Sequence, residues 1–380
     1  MRVLHTIPDI SIESGGTTTS TYELIKALRK VPCDVDILTL KSKVGGHIAG
    51  NGEEWIHAIP NDSIIAAYSY SRNFKKALRE SDYDIYHTNG IWMYPDHITS
   101  VIAREKKKKS VITLHGMLYP QAMRRSRIKK SIFWNLMFKN DVMYADCLHA
   151  TCQQELENLR NLGCENPIAV IPNLIPISPD LLPATANNKK AFSIGFLGRL
   201  HPIKKIEEIF RAVACSGLKD SINVIIMGKG DDEYEMFLIE EAKRLNVKAD
   251  FRGFVDGEEK YEILKGLSLL CVPSDMENFG MTIPEALICG TPVYASLGTP
   301  WQLLEDNRCG WWRDNRPETI ALIIKELYAK TPQEIVEMGL RGRKLVERCY
   351  SADIVANQMY SLYAWLMGTQ NKPDFVYDGK

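Results

Sequence analysis

Short apolar runs alternate with longer stretches of helical period, and they do so twice along the chain. In the first half MRVLHTI, VDILTL, YDIYHTN, SVITLH, CLHAT and IAVIPN read as strands. TTTSTYELIKALRK, RNFKKALRES and PDHITSVIAREKK read as helices between them. A strand–helix alternation of this kind means a parallel sheet with helices on both faces. The rhythm breaks at NLIPISPDLLPATANNKK, Asn173 to Lys190, which has three prolines and a polar tail. It then restarts. FSIGFLG, INVIIMG, ADFRGF, LSLLCVPS and PVYAS read as strands, with IEEIFRAVACSG, YEMFLIEEAKRLN, KYEILKG and TIPEALICG as helices. The chain is therefore expected to be α/β, with two Rossmann-like, doubly wound domains facing a central cleft. The expected boundaries are 1–172 and 191–350, with a linker at 173–190. A helix at 351–368 is expected to cross back to the first domain, followed by a tail at 369–380. Ligands of such sheets sit at the carboxyl ends of the strands, so the chemistry is expected there.

Composition excludes several classes. A length of 380 residues suits two domains. Lys+Arg and Asp+Glu are both 47, which argues against a chain built to coat nucleic acid. MRVLHTIPDI enters a strand directly, without a leader-like apolar stretch. No segment has the roughly 18 apolar residues that span a bilayer. Nine scattered cysteines without a CxxC pair suggest a reduced cytosolic compartment and buried free thiols.

Four stretches carry candidate chemistry. GFLGRLHPIKK places Arg199 and Lys204 in a strand-to-helix loop, where a guanidinium and an ammonium can clamp a diphosphate. SDMENFGMTIPEALICGTPV places Glu277 in the next such loop and Glu285 in the first turns of a helix expected to start near Gly280. Carboxylates bind vicinal hydroxyls well, and a helix start favours phosphate. SGGTTTST puts Gly15 and Gly16 after the first strand, and TLHG ends a strand at His115. The glycine pair is not GxGxxG, which disfavours a nicotinamide cofactor. No DxD triplet is read among loop acids and no His/Cys/Asp cluster has metal spacing, so cations of the chain are expected to do a metal's work. REKKKK, Arg104 to Lys109, and RRSRIKKSIFWNLMFK, Arg124 to Lys139, are basic. The second mixes Arg124, Arg125, Arg127, Lys129 and Lys130 with Trp134 and aliphatic residues. That is the pattern of an amphipathic membrane-surface helix, or of an ordinary helix with a core face and a solvated basic face.

With these stretches in view, the sequence resembles the retaining nucleotide-sugar glycosyltransferases of family four, of GT-B fold. The likeness covers nearly the whole chain: SGGTT, TLHG, VIPNLIP, FLGRLHPIKK, IMGKGDDEYE, FRGFVD, the glutamate stretch and ASLGTPWQLLEDNRCGWW. ENFG and the TPW run are similar to the subgroup of bacterial surface-polysaccharide genes. The resemblance implies a UDP- or GDP-sugar donor, a glycan or lipid-linked glycan acceptor, retained anomeric configuration and no metal or other cofactor. It implies Arg199 and Lys204 on the diphosphate, Glu285 on the ribose and Glu277 beside the transferred sugar. Asn278, Phe279, Gly280, Met281 and Thr282 would hold sugar and phosphate by their backbone. Gly16, beside Gly15, would close over the diphosphate, and His115 would sit near the sugar's 6-hydroxyl. The main chain at Phe254 and Val255 would receive the base. His87, Asn89 and Gly90 lie where acceptor groups often occur and take no firm role. Asn278 stands where glycine is commoner, and Glu13 where glucan synthases carry lysine. A cytoplasmic enzyme, peripheral at the inner face of the plasma membrane, is expected. A nucleotide-sugar epimerase of the same fold and a non-catalytic membrane-surface scaffold are the competing readings.

Overall fold

The computed structural model describes residues 1–11, 16–42, 50, 52–63, 68–124, 127–177 and 192–379. The chain forms two units, Met1–Leu174 with Ala352–Lys380, and Ile175–Ser351. The first contains β1 (Arg2–Asp9), β2 (Asp34–Leu40), β3 (Ile56–Ile59), β4 (Ile85–Asn89), β5 (Lys109–Thr113), β6 (Cys147–Ala150) and β7 (Ile168–Val170). The second contains β8 (Phe192–Leu197), β9 (Ile222–Met227), β10 (Ala249–Gly253), β11 (Leu269–Val272), β12 (Val293–Ser296) and β13 (Gly310–Arg313). A last strand, β14 (Val376–Tyr377), returns to the first unit. Among the described residues the sheets run β14-β7-β6-β5-β4-β1-β2-β3 and β10-β9-β8-β11-β12-β13. All pairings are parallel except β14 on β7. In each sheet the order reverses once, between β1 and β4 and between β8 and β11. These are the switch points at which doubly wound sheets bind ligands.

Burial follows the strand pattern. Val3, Ile37, Ile85, Val111 and Cys147 form one core layer of the first unit. Val355, Met359, Leu362 and Tyr363 of the helix Ala352–Leu366 join that layer beside Ile25 and Leu28 of the helix Gly16–Leu28. In the second unit Ile194, Phe196, Val224 and Ile226 pack on Ile209, Phe210 and Leu238. Three strands, β3, β13 and β14, are additions to those expected from the sequence. The glutamate helix spans Thr282–Ile288, two residues later than expected, because Gly280 has φ +76°, a left-handed turn rather than a helix start. All nine cysteines are free, but burial is not general: Cys215 is exposed and Cys152 and Cys349 are half-buried. Of the expected linker, 178–190 lies outside the described residues.

The first sheet carries a buried polar relay. His149 Nε2 lies 2.7 Å from the Ile171 carbonyl, and a carbonyl only accepts, so Nε2 carries the proton. His149 Nδ1 then accepts from Thr113 Oγ1 at 2.7 Å. Thr113 in turn accepts from His87 Nε2 at 2.6 Å. His87 Nδ1 accepts from the Tyr363 hydroxyl at 2.6 Å, and that hydroxyl accepts from His5 Nε2 at 2.8 Å. His5 Nδ1 accepts from Asn89 Nδ2 at 3.1 Å. One fixed acceptor thus sets every tautomer, and each ring is neutral with both nitrogens used. Burial lowers His5 to about 3 and His149 to about 4, lowers His87 well below its ordinary value, and raises Tyr363 well above its own.

Candidate functional site

The loop after β8 holds Arg199 and Lys204 close to the strand ends. Gly198 N–H donates to Met227 O at 3.0 Å and Leu200 N–H to Lys229 O at 2.9 Å, which ties this loop to the one after β9. A Cβ on Gly228 would lie 1.8 Å from Gly198 O, so only glycine allows that approach. A short 3-10 turn, Pro202–Lys204, is capped by His201 and aims Lys204 at the loop after β11. Arg199 is exposed and forms no ion pair with any described residue.

The loop after β11 is fixed from three sides. Asp275 N–H donates to Ile203 O, and Glu277 N–H to Gly298 O, both at 2.8 Å. A Cβ on Gly298 would lie 2.3 Å from Asp275 O, which explains the glycine before the TPW run. Fully buried Trp301 donates to Phe279 O at 2.5 Å and packs with Phe279 and Tyr350. Glu277 Oε1 accepts from Lys204 Nζ at 2.5 Å and from Ser274 Oγ at 3.0 Å. The two charged side chains are 19% and 16% exposed, so the pair is shielded yet reachable. Asn278, Gly280, Met281 and Thr282 are half-buried and Phe279 is buried.

Glu285 follows on the helix Thr282–Ile288, and its Oε1 accepts from Lys260 Nζ at 3.0 Å. Burial pushes the Glu285 carboxyl above its ordinary range, although Lys260 pulls the other way. Lys260 lies on the helix Gly257–Gly266, which begins directly after the turn at Phe254 and Val255. Phe254 is exposed and Val255 buried. The second unit therefore pairs Lys204 with Glu277, which the five residues Asn278–Thr282 follow, and links Glu285 to the Phe254–Asp256 turn through Lys260, while Arg199 stands in the Lys204 loop. Lys260 and Ser274 were not singled out from the sequence. Lysine on a helix face carries no periodic signal, and only the β8/β11 neighbourhood reveals the pairings.

His115 and Gly16 belong to the first unit, while Gly15 lies outside the described residues. His115 follows β5 in a left-handed conformation, φ +49°. Burial lowers it to about 3, and its Nε2 is buried without a hydrogen-bond partner. Gly16 opens its helix with no heavy atom near its missing Cβ. His87 and Asn89 are members of the relay, which gives them a structural role. Asp96, at the third position of the helix Tyr94–Glu105, was also missed. It accepts from Met93 N–H at 3.2 Å, its Oδ1 is unpartnered, and burial pushes its carboxyl up to about 7.

The two basic stretches differ. In REKKKK, Arg104 pairs with Asp141, Lys108 with Asp82 and Lys109 with Asp146. The second stretch is helical from Arg127 onward, with a π-turn inside it. Arg124 ends the helix Pro120–Arg124, 125–126 lie outside the described residues, and from Arg127 the chain runs as the helix Arg127–Phe133, a π-helix Trp134–Phe138 and the helix Lys139–Met143. Arg124, Arg127 and Lys129 are exposed and Trp134 half-buried, whereas Arg125 lies outside the described residues. Lys130 donates to Ala122 O at 2.7 Å and lies over Trp92. The helix Arg127–Phe133 buries none of its residues, so a core face is absent there. Ile128 is 77% and Leu136 72% exposed. No helix among the described residues is long and apolar enough to cross a membrane.

Comparison with known proteins places these features in context. The family model for Glycosyltransferase Family 4 matches residues 14–178, and that for Glycosyl transferases group 1 matches residues 179–344. The O-antigen biosynthesis glycosyltransferase WclY of Escherichia coli is 25% identical over 257 residues, 65% of this chain and 70% of that protein. The D-inositol 3-phosphate glycosyltransferase of Salinispora tropica is 30% identical over 118 residues, 28% of this chain and 24% of that protein. Among solved structures, Anabaena HepE in complex with UDP-glucose superposes with a TM-score of 0.76 at 18% identity, covering 96% of this chain and all of that one. Sucrose-phosphate synthase of Thermosynechococcus elongatus superposes with a TM-score of 0.74 at 20% identity, covering 97% and 100%. At these identities the structures speak for the fold.

Proposed function

The chain belongs to the group 1 glycosyltransferases, with the GT-B fold, and from that premise we propose that it is a retaining, metal-independent hexosyltransferase. It moves a sugar from a nucleoside-diphosphate donor, UDP- or GDP-linked, to a glycan or lipid-linked glycan in surface-polysaccharide synthesis. The observation that carries this reading is the Lys204–Glu277 pair at the β8/β11 switch point, with Arg199 in the Lys204 loop, exposed and in no ion pair with a described residue, and Glu285 on the following helix.

Arg199 and Lys204 receive the diphosphate and stabilise the charge that grows on it as the glycosidic bond breaks. Glu277 takes hydroxyls of the transferred sugar, and Glu285 those of the ribose. Backbone groups from Asn278 to Thr282 position sugar and phosphate. The base rests on the main chain at Phe254 and Val255. In the reaction the acceptor oxygen bonds to the anomeric carbon and the carbon–oxygen bond to phosphate breaks. The acceptor's proton passes to a phosphate oxygen of the leaving nucleoside diphosphate, on the same face. Anomeric configuration is then retained, and the protein supplies position and charge rather than a base.

The acceptor side is proposed to meet an anionic membrane at the cytoplasmic face. Support comes from the exposed Ile128 and Leu136 beside Arg124, Arg127 and Lys129, in a stretch without a single acid between Glu105 and Asp141. The test of the activity is release of nucleoside diphosphate from UDP- and GDP-sugars in the presence of EDTA, with product configuration read by NMR. Retained configuration with metal-free turnover supports the reading. Inversion, or turnover that EDTA abolishes, overturns those two parts of it.

A further inference from the structure

Glu285 has a partner whose position is informative. Lys260 Nζ is 3.0 Å from Glu285 Oε1, and the two side chains are only 14% and 13% exposed. The same ammonium lies 3.6 Å from Asp256 Oδ1 and 4.9 Å from the Tyr261 ring centre. Asp256 stands at the N-cap position of the helix that carries Lys260, without a side-chain capping bond, and follows Val255 directly. One lysine thus joins the Phe254–Asp256 turn to the Glu285 carboxylate. Glu285 Oε2 accepts no hydrogen bond from any described residue, so the lysine occupies one oxygen and leaves the other available.

The charge balance gives this arrangement a purpose. A lone buried carboxylate takes up a proton, and a neutral carboxyl is a poorer acceptor for hydroxyls. An uncompensated negative charge would also oppose a diphosphate nearby. Lys260 counters both, pulling the Glu285 carboxyl down against the upward push of burial. Burial works against its own charge, but Glu285, Tyr261 and Asp256 hold its pKa above the ordinary lysine value.

We propose that Lys260 is a positioning residue that holds Glu285 ionised and aimed at the vicinal hydroxyls of the donor's ribose, and so makes the site select ribonucleotides. This rests on the glycosyltransferase reading of the same site. It predicts a coupling between one side chain and one substrate hydroxyl, which a lysine that merely packs would not produce.

The experiment is titration calorimetry on the full chain with UDP, GDP and ADP and their 2′-deoxy and 2′,3′-dideoxy counterparts. The wild type is expected to favour its ribonucleotide by about tenfold or more, the scale of a hydrogen bond to a charged acceptor. Lys260→Met should weaken the ribonucleotide by a similar factor and bring the ribo-to-deoxy ratio close to one. Lys260→Arg should restore most of the ratio. Glu285→Gln guards against misfolding of the Met variant: in its background Lys260→Met should have little further effect. An unchanged ratio in Lys260→Met, with ribonucleotide binding intact, overturns the proposal and leaves the donor site standing. Binding of none of these nucleotides to the wild type overturns the glycosyltransferase reading itself, and the proposal with it.

Discussion

The two sheets share one strand order but treat their polar groups in opposite ways. Across β1, β4, β5 and β6 of the first, three histidines, a threonine and a tyrosine form a neutral relay in which each proton has an acceptor. At the β8/β11 switch of the second, the polar groups are charged and partly exposed, and they keep spare capacity: among the described residues Arg199 has no ion-pair partner and Glu285 Oε2 no donor. Closing a buried network stabilises a fold, because an unmade hydrogen bond there is costly. Holding charges half-open does little for stability and suits a ligand. Topology therefore provides two equivalent places, and the residues at each decide whether it is filled from within or kept for a substrate.

Acid should separate the two regions most strongly. The relay histidines are neutral in the fold, but in the unfolded chain they gain protons below the ordinary value of 6.5. The unfolded chain then binds more protons, so stability falls as pH drops from 6.5 towards about 4. The loss approaches about 1.4 kcal/mol per pH unit for each histidine. Hydrogen exchange at decreasing pH should show β1, β4 and β6 opening first. Earlier opening of β8 and β11 would reverse the comparison.

Tyr363→Phe should come next. It strands the His5 N–H and the His87 Nδ1 and should cost about 2–4 kcal/mol in urea unfolding. A neutral result would mean that the relay is not closed as described. In the second unit, Lys204→Ala and Glu277→Ala should each lower turnover at least about tenfold, or 1.4 kcal/mol in the barrier, with little change in the urea midpoint. Near-normal turnover in both would remove the site. The smallest stability effect is expected from Ile128→Ser with Leu136→Ser, within about 0.5 kcal/mol, since both are exposed. The same pair should weaken binding to phosphatidylcholine vesicles containing phosphatidylglycerol. Unchanged binding would sink the membrane contact.

Much of this is legible in the sequence because buried parallel strands are long apolar runs. The three strands it does not reveal, β3, β13 and β14, are all at sheet edges and no longer than four residues. Half-exposed edges do not produce a clear apolar run. Arg199, Lys204, Glu277 and Glu285 stand out because each sits at a strand end or helix start with a recognisable neighbour. Lys260, Ser274 and Asp96 do not, because what distinguishes them is a partner brought near by folding. The relay is hidden for the same reason: His5 and Tyr363 are 358 residues apart. The basic stretch shows a further limit, since a pattern that fits one regular helix does not reveal the π-turn inside it.

The most direct test is thermal unfolding of the wild type and of an Arg199→Ala, Lys204→Ala double variant against UDP-, GDP-, ADP-, CDP- and dTDP-sugars, each with and without EDTA. One nucleotide series should stabilise the wild type by roughly 2.7 kcal/mol at about a hundredfold excess over its dissociation constant. The effect should be independent of EDTA and lost in the double variant. Silence across the panel, or equal stabilisation of both proteins, would contradict the assignment of the paired loops as the donor site.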